Sequence, residues 1–181
     1  ECLASGKISE GDDVLIGLTK PLQVYLDCDG RTQKAVFKYV DIRKEGVYKL
    51  ANGDREFNFT DRYHYERAAY LLDRELGLDM VPVTALREVD GSQGSLQFFP
   101  ATSADEGERS SSGRGGSASC ELPLQWEAMY VFDTLIYNEG RSLQRMRYLP
   151  SRWNLILIEH ERAFKAASGR PPHLASAPIK I

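Results

Sequence analysis

The 181 residues carry 23 lysines and arginines against 26 aspartates and glutamates, a formal net charge of −3 mixed evenly along the chain. Such a length buries a real core, as one ordinary domain or as two small lobes, while the mixed charge supplies neither a nucleic-acid footprint nor an acidic tail. No run approaches the roughly eighteen apolar residues of a membrane span.

Cys2, Cys28 and Cys120 are odd in number and far apart. They have no CxxC or Cys/His spacing, which argues against a zinc site and against a full disulfide framework. The chain opens on Glu1 rather than methionine, as a processed chain or a fragment would, so a removed signal peptide stays open.

In chain order, residues 14–42 read as strands around the turn "DCDGRT", with alternation at Val36, Lys38 and Val40. Asp29-Gly30 suits a hairpin because both residues tolerate positive φ. A smaller pair, "GVYKL" and "EFNF", flanks Asn52-Gly53. Thr60 or Asp61 can cap a helix running to Leu76, with Tyr65, Ala68, Ala69, Leu72 and Leu76 as one apolar stripe and Gly77 as its left-handed stop. Two further strands, "MVPVTALREVDG" and "SLQFFP", follow.

Residues 101–121, rich in Ser and Gly, have no apolar periodicity and read as a flexible insertion. A second helix is expected from Leu124 to Asn138, with Pro123 in its first turn and Asp133 within its apolar stripe. "RMRYL" and "WNLILI" then form a hairpin whose second strand, apolar on both faces, should be buried. Gly140, in "YNEGR" just past the helix, either stops that helix or stands where a carboxylate would do chemistry.

The segments "AVFKYVD", "YHYERAAYLLDRELGLDMVP", "GSLQFFP" and "FDTLIYNEGR", followed by "LILIEHERAF", resemble the protein-kinase-like fold. More narrowly, they are similar to the bacterial proteins grouped with phosphoinositide-kinase-like and HipA-like kinases. The resemblance implies an α+β, two-lobed fold: an antiparallel-sheet lobe over residues 1–100, the insertion 101–121, and a shortened helical lobe over 122–181. Related kinases continue with more helices where this chain has "SGRPPHLASAPIKI".

By the same resemblance Lys38 would contact the phosphates of ATP and Glu66 would be its ion-pair partner. Without that frame, a lone lysine on a strand and a glutamate on a helix read as solvated charges. Gln97, Phe98 and Phe99 would be the hinge beside the adenine, or else an edge strand with core phenylalanines. "IGLTKP", with Gly17 and Lys20, would be the phosphate-covering turn, although one glycine is a weak signal.

The kinase loop after this helix reads like N-x-D-R-x-x-x-N. Asn138 and Arg141 match it, but Gly140 stands in the aspartate slot and Arg145 in the asparagine slot. Glycine has no side chain, and a guanidinium has no lone pair for magnesium. Glu159 stands where the family has an aspartate; it keeps a metal-binding charge but moves its oxygens by a methylene, a misplacement that can cost ~100-fold in rate. Losing a catalytic carboxylate that acts in a unit costs ~10⁴-fold, about 5 kcal/mol. Asp133 reads as a hydrogen-bonding residue of the loop and His160 as its brace, while His64, His160 and His173 share no ligand spacing.

The expectation is therefore a pseudokinase, a nucleotide-binding or protein-interaction module with weakened magnesium binding and an unknown protein partner. The alternative is an active ATP-dependent phosphotransferase using Glu159 for metal and Glu139 in place of the missing base.

Overall fold

The structure is a computed structural model that describes residues 1–13, 21–50, 52–113, 120–167, 169 and 171. The expected strand at residues 14–20, the turn with Gly17 and Lys20, and His173 lie outside the described residues. The chain divides into two compact units, Glu1–Ala68 with Val83–Phe99, and Ala69–Pro82 with Pro100–Ile181. The expected boundary at residue 100 put Ala69–Pro82 in the first lobe; these residues instead belong to the second unit.

The first unit opens with a short helix α1 (Cys2–Ser5), then β1 (Lys7–Asp13), β2 (Leu22–Cys28) and β3 (Arg31–Lys38). Asp29 and Gly30 both take positive φ and close the β2–β3 hairpin in the register Cys28↔Arg31. Two small ladders follow: β4 (Asp41–Arg43) pairs with β7 (Thr60–Arg62), and β5 (Val47–Lys49) with β6 (Arg55–Phe57). With β8 (Thr84–Val89) and β9 (Ser92–Phe98), the main antiparallel sheet has the order β1-β2-β3-β9-β8. Side chains alternate across a strand, so Val24, Leu26, Ala35 and Phe37 share one buried face with Leu96 and Leu3. Gly94 lets the Phe37 ring cross β9, because a Cβ there would lie 2.4 Å from that ring. A disulfide between Cys2 and Cys28 ties α1 to the end of β2.

Helix α2 (Tyr63–Leu76) starts later than a cap at Thr60 or Asp61 would place it. The reason is that Thr60–Arg62 extend as β7 against β4 and their backbone groups go into that ladder. Its other end is as expected: Gly77, at φ +68°, donates to Arg74 O, and Leu78 donates to Asp73 O, which closes a Schellman motif.

In the second unit, β10 (Ala104–Asp105) and helix α3 (Glu106–Ser111) occupy part of the stretch expected to be structureless. A capping box accounts for this: Asp105 accepts from Glu108 N, and the Glu108 side chain accepts from Asp105 N. Glu106 is buried and paired with Arg109 through two bonds of 2.6 Å. Helix α4 (Leu122–Leu135) ends three residues before the expected Asn138. Its Met129 and Phe132 pack with Ile136 and with Tyr148, Leu155 and Leu157 of the hairpin β11 (Met146–Leu149) and β12 (Asn154–Leu157). The Trp126 indole donates to the Tyr148 hydroxyl at 2.7 Å. Leu155, Leu157 and Ile158 are buried as expected, while Ile156 is only half-buried. The protein is thus α+β, and no helix of the described residues is long and apolar enough to cross a membrane.

Candidate functional site

In the first unit, Lys38 ends β3 and Glu66 lies in the first turn of α2. Their side chains meet at Nζ–Oε1 2.5 Å, and the glutamate side chain is 1% exposed. A carboxylate this buried is stable only when paired, so these are not two independent surface charges. Gln97, Phe98 and Phe99 sit at the end of β9. Gln97 donates from Nε2 to Thr84 Oγ1 at 2.8 Å. The backbone N–H groups of Phe98 and Phe99 donate to Val83 O and Lys34 O at 3.1 and 3.0 Å, and Lys34 Nζ lies 4.8 Å from the Phe99 ring centre. Both backbone donors expected at a hinge are therefore bonded to carbonyls of the first unit.

In the second unit, the loop after α4 is organised by Asp133, which is fully buried. Arg141 grips it with Nε at 2.8 Å and Nη2 at 3.0 Å, and Asn138 Nδ2 donates to it at 2.8 Å. Burial pushes the Asp133 carboxyl up, but the guanidinium of Arg141, the Asn138 amide and His160 outweigh that and hold it below the usual aspartate value. Arg141 Nη1 donates in turn to Arg145 O and Ile158 O, at 2.8 and 3.0 Å, and Nη2 lies 3.1 Å from His160 Nε2. Asp133 thus reaches the loop backbone through two side chains, and His160 belongs to the same brace.

Gly140 does not stop the helix. The helix closes at Ile136, four residues earlier, and the residue that turns left-handed is Tyr137, at φ +46°. The close neighbour of Gly140 is Arg145: its Nη1 donates to Gly140 O at 2.6 Å, and a Cβ on residue 140 would lie 2.4 Å from that Nη1, so a side chain there would displace the end of the guanidinium. The same guanidinium pairs through Nε with Glu159 at 2.5 Å and lies 3.7 Å, through Nη2, from Glu161. Glu159 is itself left-handed, at φ +63°. Arg145 and Glu159, expected in the asparagine and metal slots, are brought together as an ion pair beside the glycine.

Glu139, the candidate substitute base, pairs with Lys165. Glu161 and Lys165 were not anticipated as members of this cluster. The i, i+2 spacing of Glu159 and Glu161 was no clear signal, because Glu159 is left-handed and lies beyond the end of β12, where strand alternation does not hold. Lys165 had none, since its partner is 26 residues away.

Among the described residues, no group of three or more His, Cys, Asp or Glu side chains is arranged to hold a metal ion. Glu159 and Glu161 alone do not fit a divalent cation while Arg145 faces both, since a guanidinium offers no lone pair and carries the same sign of charge as the ion. In comparisons with known proteins, no family profile matches the chain and no curated protein matches it.

Proposed function

We propose that the protein is a kinase-fold module of two lobes that binds a partner and does not transfer phosphate at a useful rate. The observation that carries this reading is the seat of Arg145. Its guanidinium forms ion pairs with Glu159 and Glu161 and donates to the carbonyl of Gly140, so a cation of the chain itself stands against the two carboxylates a magnesium ion would use. Residues 140 and 145 are also sterically linked, since the Cβ of an aspartate at 140 would lie 2.4 Å from Arg145 Nη1 and displace it. A linked pair of changes supports a rebuilt loop better than random decay does.

The Lys38–Glu66 pair is intact, which supports some retention of nucleotide phosphates in the first unit without a metal. An active phosphotransferase would need Glu159 and Glu139 to leave Arg145 and Lys165, two buried or half-buried pairs. Breaking such pairs costs about 3 kcal/mol or more each.

The test is thermal stability and turnover with ATP, with and without magnesium. The expected result is no magnesium-dependent stabilisation and no phosphate release or transfer above background. A magnesium-dependent rise in melting temperature, with ATP turnover lost in Lys38→Met, overturns the proposal.

A further inference from the structure

We propose that the outward face of the β5–β6 hairpin is a docking surface for an anionic lipid leaflet. The inference is independent of the kinase reading. Val47 and Phe57 are direct cross-strand partners, and so are Lys49 and Arg55. Residues two apart on a strand share a face, so all four project from the same side of this ladder. Val47 is 69% and Phe57 66% exposed, and Lys49 and Arg55 are exposed as well. The opposite face carries Tyr48 and Glu56, both half-buried, with the Tyr48 ring 4.8 Å from that of Phe59. The hairpin therefore buries its acidic, aromatic side and presents its apolar, cationic one.

Glu45 lies 4.0 Å from Arg43, and Asp54, which keeps its charge while accepting from Asn52 Nδ2 at 2.7 Å, lies in the turn outside the two strands. Among the described residues of the two strands, the outward face holds two positive charges and no negative one.

The chemistry selects a lipid surface over an acidic polypeptide. The face spans only three cross-strand pairs, and its four outward side chains are all exposed. A leaflet needs only exposed apolar groups beside cations that reach the phosphate level. Each cation near an anionic surface contributes roughly fivefold in partitioning, so the pair should contribute about 25-fold, screened by salt.

The experiment is co-sedimentation of the full chain with vesicles of phosphatidylcholine alone and of phosphatidylcholine with about one-third phosphatidylserine. The expected result is binding to the phosphatidylserine vesicles only, falling about 25-fold in Lys49→Gln/Arg55→Gln and severalfold in Phe57→Ser. The melting temperatures of these variants should match the parent, because the altered groups are exposed. If the double variant fails to fold, raising salt on the parent chain from 0.1 to 0.5 M gives a second reading, since binding must weaken steeply.

Absence of binding to the anionic vesicles overturns the proposal, and so does binding indifferent to these substitutions or to salt. Soluble poly-glutamate that competes equally well in the parent and in Phe57→Ser also overturns it, in favour of an acidic polypeptide site.

Discussion

At residue 145 one guanidinium donates to the Gly140 carbonyl and forms ion pairs with the carboxylates of Glu159 and Glu161. Its side chain is 19% exposed, and those of Glu159 and Glu161 are 8% and 9% exposed. Removing one member of a largely buried ion pair strands the other, at about 3 kcal/mol after allowance for residual solvent. Arg145→Ala should therefore lower stability by about that amount in urea titration, and Arg145→Lys by less, because it keeps the charge and loses the fork. Gly140→Ala should cost about 2 kcal/mol in the parent chain and less than about 0.5 kcal/mol in the Arg145→Ala background, since the collision is with Arg145 itself. Additive costs in that double-mutant cycle would mean that Gly140 is needed for some other reason. The bare chemistry of these two residues was legible in sequence, since neither side chain offers a carboxylate or an amide oxygen. Their mutual contact was not, because steric exclusion between residues five apart depends on where a long side chain is anchored.

Among the elements, the hairpins and helix α2 were legible, because alternation, Asp-Gly or Asn-Gly turns and a glycine stop all act over a few residues. Strand β1 was not. As an edge strand it pairs with β2 alone, and "KISEGDD" shows no apolar alternation. Helix α3 was missed for a related reason: its composition is that of a linker, and its stability rests on a capping box and on the buried Glu106–Arg109 pair. The disulfide was hidden by an odd cysteine count, with Cys120 left free and exposed. Cys2 and Cys28 are 26 residues apart, so the crosslink should contribute about 2 to 4 kcal/mol. Leu3, 3% exposed, is held in the core of the first unit by the helix it latches. Reduction, or Cys28→Ser, should lower the melting temperature and make the first six residues accessible to protease. Because such bonds persist in oxidising compartments, non-reducing alkylation of the native protein should leave Cys120 as the one labelled thiol. Three labelled thiols would mean that the latch is not formed.

For the molecule as a whole, two buried aspartates of the second unit set opposite slopes of stability against pH. The folded pKa of Asp133 is lowered, as burial is outweighed by Arg141, so its contribution is present above the unfolded value of about 4 and is lost as pH falls through the folded value. Asp73 is raised: burial pushes it up, and the backbone N–H groups of Met80 and Val81 only partly compensate. A raised carboxyl favours the protonated folded state, so its contribution is full below about pH 4 and is lost as pH rises through its folded value. The stability curve should therefore climb out of acid as Asp133 ionises and then decline gently once Asp73 must ionise inside the fold. Asp41, also lowered through its bond to Arg62, adds to the acid limb, but its 37% exposed side chain leaves that contribution screened. Asp73→Asn separates the two slopes. Its amide oxygen can still accept from Met80 N, the bond that spans 3.0 Å in the parent, and it no longer titrates. Urea titrations from pH 3 to 7 should show the acid limb retained in this variant and the decline above about pH 4 removed. Loss of the acid limb instead would assign the low-pH sensitivity to Asp73 and leave the Asp133–Arg141 brace without the role in stability given to it here.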